Sequence, residues 1–370
     1  MGGSSGDDAG QGNAGIGGEG GAEPSCDPSL VMATGYRASN PEDLEALRGY
    51  GRIEGDLEIT GDVVDLSPLS CLTTVNGNLT LRALAIASVE GLSGLRSVGA
   101  LDIEKCSALS SLAGLEALQH VDSLSLFDNP KLSDLEALAN VALQGDLSIV
   151  NNPEIATLTG LRSTSALRSA WVGGASLENL HGLEQLERVD DLVLEVMPGL
   201  RDLTGLDGVR SIASLRLLDN PNLESLEGLG PIQALDELYL SVDPKLANID
   251  ALSKLSSLGQ LYLSNVGLVD LSPLNGVSQL TALDINECSV LSSLLGLDRV
   301  AMIADGLSIR QNPALASLHG LEALESASRL TITENQVLPT CEADRVRDRL
   351  NDASLELVEI ADNDDAGVCL

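Results

Sequence analysis

The chain has 370 residues, with 55 acidic against 21 basic side chains and a formal charge of −34. That excess opposes non-specific attraction to nucleic acid or to an anionic membrane surface, so neither is expected as a partner. Aromatic residues are only 2% of a chain that is 44% hydrophobic, which points to a core packed from Leu, Ile and Val.

Residues 1–25 are rich in Gly, Ser, Asp and Glu and hold almost no large apolar side chain. Such a segment cannot bury a core and reads as a disordered tether. No apolar leader follows Met1 and no stretch is long enough for a membrane span. The composition suits a lipid tether, although no cysteine precedes it to carry the lipid. Residues 26–52 read as an N-terminal cap, with the apolar spacing of a short helix over 41–49 (Leu44, Leu47).

From 53 to 337 a strand-like signature recurs thirteen times. Its first apolar positions are Leu57, Leu79, Leu101, Leu124, Leu147, Ser169, Leu192, Leu215, Leu238, Leu261, Leu283, Leu307 and Leu330, spaced 22 to 24 residues apart. A constant period of this size means a solenoid of stacked small units. Leu124 and Leu126 alternate with Ser123 and Ser125, so each strand buries one face and exposes the other. A tail of apolar residues follows at fixed offsets, as in Leu132, Leu135 and Leu138. It arrives one residue early at Ile86, Val89, Leu92 and at Leu268, Leu271, Leu274, which accounts for two of the short intervals. In the sixth unit the same reading places Ser169 and Trp171 in the core.

Three residues beyond the second strand residue the chain must turn, and backbone groups buried there need partners. An inward Asn can satisfy both a donor and an acceptor. Asn129, Asn152, Asn220, Asn312 and Asn335 fall in this slot. Cys106 and Cys288 fall there too, and a small buried thiol is a plausible substitute. These two lie eight units apart, about 38 Å at the spacing of stacked strands, so they cannot bond to each other.

The pattern L-x-x-L-x-L-x-x-N-x-x-L over 121–138 resembles the leucine-rich repeat superfamily. Leu66-Ser67-Pro68-Leu69 and Leu271-Ser272-Pro273-Leu274 resemble its bacterial internalin-like branch. Gly55-Asp56-Leu57-Glu58-Ile59 and Gly77-Asn78-Leu79-Thr80-Leu81 are similar to receptor L-domain strands. The resemblance implies a curved parallel sheet with an irregular convex side, and a binding or adhesion scaffold rather than a catalyst. It transfers no ligand.

Residues 338–370 read as a C-terminal cap, with a last strand around Leu357 and Ile360 and Asn363 in the turn slot. Cys341 and Cys369 bracket this end and Cys26 and Cys71 bracket the other. End units of a solenoid expose core edges, and a disulfide closes such an edge in an oxidising compartment. Four reduced thiols in a cytosolic chain are the alternative.

Catalytic and metal signatures are absent from the sequence. His120, His181 and His319 lie in separate units, and the acidic run Asp362, Asp364, Asp365 has its glycine and distal carboxylate misplaced for a calcium loop. No cofactor is expected. The outward strand positions are the better site. They hold Phe127, Val150, Val172, Val193, Arg216, Leu218, Tyr239 and Tyr262, an apolar and aromatic group with charges around it. That is the make-up of a surface for a protein or glycan. The sequence therefore predicts an extracytoplasmic binding scaffold; an acidic structural or ion-binding envelope protein is the alternative.

Overall fold

The computed structural model describes residues 26–350 and 355–369; the tether expected at 1–25 lies outside them. The chain is a leucine-rich-repeat solenoid whose strands form one continuous parallel sheet. Its concave face carries the outward strand positions, and its irregular side is built from turns and short 3-10 segments such as Ser67–Leu69 and Asp250–Leu252.

The register follows the leucine positions. Leu57 pairs with Leu79, Leu79 with Leu101, Leu101 with Leu124 and Leu124 with Leu147. The same column continues through Leu192, Leu215, Leu238, Leu261, Leu283, Leu307 and Leu330 to Val358. These side chains and those of the turn-side tail form one core along the array, with Leu, Ile and Val nearly all below a few per cent exposure. Each repeat buries its apolar edge only against its neighbours, which is why the aromatic-poor composition suffices.

The sixth repeat corrects the sequence reading. Ala170, not Ser169, pairs with Leu147 and with Leu192, so the strand Ala166–Gly173 sits one residue later than expected. Ala170 and Val172 face the core, at 1% exposure each, and Trp171 faces out at 44%. Val172 is therefore a core residue and not part of the concave surface. A register starting at Ser169 turns Trp171 inward, whereas one starting at Ala170 places it outward by the alternation of the strand.

Each end of the array carries a short helix and a disulfide. The short helix Pro41–Glu45 begins at Asn40, whose side chain accepts a hydrogen bond from the Asp43 backbone amide at 2.9 Å. This places Leu44 and Leu47 in the core. Cys26 and Cys71 form a disulfide with their Cα atoms 5.1 Å apart. At the other end the helix Thr340–Arg349 packs beside the strand Leu357–Ala361, and Cys341 is bonded to Cys369.

Candidate functional site

Where an Asn fills the inside of the turn that follows a strand, it links neighbouring repeats by hydrogen bonds. Asn129 donates from Nδ2 to the Ile103 carbonyl at 2.9 Å, while its Oδ1 accepts from the Cys106 amide at 3.0 Å. Asn152 does the same with the Leu126 carbonyl and the Asn129 amide, at 2.8 and 3.1 Å. Asn220 bridges Leu194 and Met197; Asn312 bridges Ile285 and Cys288. Asn335 bridges Ile309 and Asn312, and Asn363 continues the series with Ile332 and Asn335. The Cys106 and Cys288 thiols are unbonded to other cysteines and fully buried. Burial in this apolar slot pushes both thiols up, Cys288 to about 11.

Sequence reasoning missed how often the slot departs from Asn. Leu84, Ala175, Met197 and Val266 fill it with apolar groups, all buried. Asp243 fills it with a carboxyl group that is fully buried. Its Oδ1 accepts from the Asn220 amide at 2.8 Å, but its Oδ2 has no partner. Burial raises this carboxyl group to about 7, against the lowering effect of the Asn220 hydrogen bond. The residue before the slot has positive φ in nearly every repeat, from Ala83 to Asp362.

On the concave face, adjacent strands bring the middle outward column into a continuous row: Trp171, Val193, Arg216, Tyr239 and Tyr262. Tyr239 and Tyr262 stack with ring centroids 4.0 Å apart and planes 9° from parallel. Burial and the neighbouring Tyr262 push the Tyr239 hydroxyl up to about 12. Leu218 and Phe127 stand half-buried in the next column. Val150 shares that column between Phe127 and Gly173, but at 6% exposure it offers little contact area. Of the sequence-predicted residues, the structure thus brings together Val193, Arg216, Leu218, Tyr239 and Tyr262. It sets Phe127 apart toward the N-terminal side and withdraws Val150 and Val172.

Three arginines of this face are held by carboxylates on neighbouring strands. Arg216 bonds Glu237 at 2.6 Å, Arg310 lies 3.4 Å from Asp284, and Arg82 pairs with Glu104. Arg168 falls just before the corrected strand column and pairs with Asp146. By contrast, Asp191, Glu195 and Asp219 make no ion pair among the described residues. The exposed charge left over beside the row is therefore negative.

Among the described residues no group of three or more His, Cys, Asp or Glu side chains is arranged to hold a metal ion. No helix there is long and apolar enough to cross a membrane. His181 and His319 repeat one local arrangement, each with Nδ1 beside a Glu three residues on, Glu184 at 3.1 Å and Glu322 at 2.7 Å.

No protein-family model matches the chain, and no curated protein does. Among solved structures it is similar to an internalin of Listeria monocytogenes, at 18% identity over 90% of this chain and 80% of that one, with a TM-score of 0.43. A mouse RP105/MD-1 complex is similar at 14% identity over 90% and 71%, with a TM-score of 0.34. The functional domain of InlJ from Listeria monocytogenes, which includes a cysteine ladder, is similar at 15% identity over 81% and 76%, with a TM-score of 0.22. The strand register and turn ladder of this chain, rather than these distant likenesses, establish its leucine-rich-repeat fold.

Proposed function

We propose that this chain is a non-catalytic, extracytoplasmic scaffold that binds a protein through its concave face. The observation that carries this reading is the row from Trp171 to Tyr262. A folding core gains nothing from a tryptophan left 44% exposed on a strand, and aromatic and Arg side chains clustered at the centre of a face are the usual anchors of protein interfaces. The stacked tyrosines favour a protein over a glycan. One face of each ring is taken up by the stack, which leaves a sugar fewer ring faces to stack on and presents edges and hydroxyls. The two disulfides support an oxidising compartment, and the acidic surface argues against nucleic acid. A lipid tether through the N-terminal segment fits the same setting.

The test compares wild type with Trp171→Ala/Tyr239→Ala/Tyr262→Ala in capture from the extracellular proteins of the source organism. All three side chains leave the core untouched, so the variant is expected to keep its thermal midpoint. Truncating such anchors costs about 2 kcal/mol or more of binding each, and the retained partner should disappear. Equal retention by both proteins would refute the concave-face reading.

A further inference from the structure

The left-handed residue that precedes the turn slot is Asn, Asp, Gly or another unbranched residue in most repeats, as at Asp128, Asn151, Gly174, Asp219 and Asn265. Those side chains accept positive φ with little or modest strain. Two repeats break the rule. Val196 has φ +51° and Val242 has φ +59°, and a β-branched residue in that region is a conformational outlier. Neither valine belongs to the core, and they are 51% and 41% exposed. Strain kept outside the core, at side chains left about half exposed, points to a role other than folding.

Their placement is what gives the strain meaning. Val196 directly follows the strand that carries Val193, and Val242 lies in the strand that carries Tyr239. Leu218, between those strands, pairs with Glu195 on one side and Ser241 on the other. The two valines therefore carry the apolar surface from the concave face over the rim of the sheet, on both sides of Leu218 and about 10 Å apart at two strand spacings. Asp191, Glu195 and Asp219 are interleaved with these side chains, without ion pairs among the described residues. Arg216, the nearest cation of the face, is already bound to Glu237.

We infer that Val193, Val196, Leu218 and Val242 form a docking surface on the rim of repeats seven to nine for a cationic protein segment that alternates Lys or Arg with apolar side chains. This inference rests on the concave-face reading and adds to it the partner's chemistry and two rim residues. The apolar side chains of the segment would cover the valines and Leu218, and its ammonium or guanidinium groups would meet the three free carboxylates. A second copy of this chain, at a charge of −34, would bring like charge to that site.

The experiment uses the intact chain and three synthetic peptides of equal length, alternating Leu–Lys, Ser–Lys and Leu–Glu, with binding read by anisotropy. Leu–Lys is expected to bind tightest and Leu–Glu not at all. The rim variant Val196→Asn/Val242→Asn should weaken Leu–Lys binding by about tenfold while leaving weak Ser–Lys binding unchanged. The same variant should raise the thermal midpoint by about 2–4 °C, since Asn relieves the left-handed strain. That combination of greater stability and lost affinity separates a binding role from a folding one. Equal affinity of variant and wild type for Leu–Lys, or Leu–Glu binding as well as Leu–Lys, would overturn the proposal. If Trp171→Ala/Tyr239→Ala/Tyr262→Ala weakens Leu–Lys binding and the rim variant does not, the concave face binds and the rim does not. If neither variant changes it, both readings fall.

Discussion

Asp243 shows what one atom does to this ladder. In the Asn repeats, the side-chain amide donates to the carbonyl 26 or 27 residues earlier, as Asn220 does to Leu194 and Asn312 to Ile285. In Asp243 the corresponding atom is an unpartnered oxygen, which can donate only when it carries a proton. An acidic group whose folded value is raised stabilises the fold while protonated. Here the contribution is complete below the ordinary value of 3.8 and is lost as pH rises through about 7. Asp219, nearby, pushes in the same direction. Between pH 4 and pH 8 this group should remove roughly 2–4 kcal/mol from the unfolding free energy. Asp243→Asn is expected to abolish that loss and to unfold at higher denaturant than wild type at pH 8, with little difference at pH 4. Denaturant titration at the two pH values checks it, and a wild type equally stable at both, relative to the variant, would contradict the account.

At the level of the strand and its repeat, almost all of the register could be read from the leucines, because a period of two within each strand and of about 23 between strands leaves little freedom. The sixth strand departs from that reading for a physical reason. Ala170 is too small to mark itself as core, and a register counted from Ser169 puts Trp171 in the second core position. The neighbouring intervals decide it in retrospect only through pairing: Ala170 aligns with both Leu147 and Leu192. That one-residue offset turns Val172 outward and Trp171 inward, the reverse of what the structure has. The slots at Leu84, Ala175, Met197 and Val266 were illegible because an apolar side chain there looks like any other core residue. Since Trp171 is the only tryptophan, its emission reports this strand alone. It is expected to be red-shifted and freely quenched by acrylamide in the native protein, with little further shift on unfolding. A blue-shifted, protected emission would restore the Ser169 register and dismantle the row on which the binding face depends.

Over the whole molecule, a solenoid has no single centre whose loss unfolds it, and its vulnerable places are its two ends. That is where the chain spends its disulfides, and it is why cysteines separated by 45 and 28 residues close the N-terminal and C-terminal caps while Cys106 and Cys288 stay buried between repeats. Loop closure alone assigns each bond about 3–4 kcal/mol, which acts on the fraying of the nearest repeats rather than on the middle of the array. The two classes of cysteine separate in a thiol count on protein from its own host. Native protein should take up no alkylating reagent, because the two free thiols are fully buried and burial holds them protonated. Unfolded without reductant it should take up two, and unfolded with reductant six. Reduction should also lower the midpoint and make proteolysis begin at the ends. Six adducts without reductant would mean open caps and a reducing compartment, and would remove the strongest support for placing this scaffold outside the cytoplasm. Two adducts already in the native protein would instead mean that the ladder at Cys106 and Cys288 opens to solvent, against a core continuous from end to end.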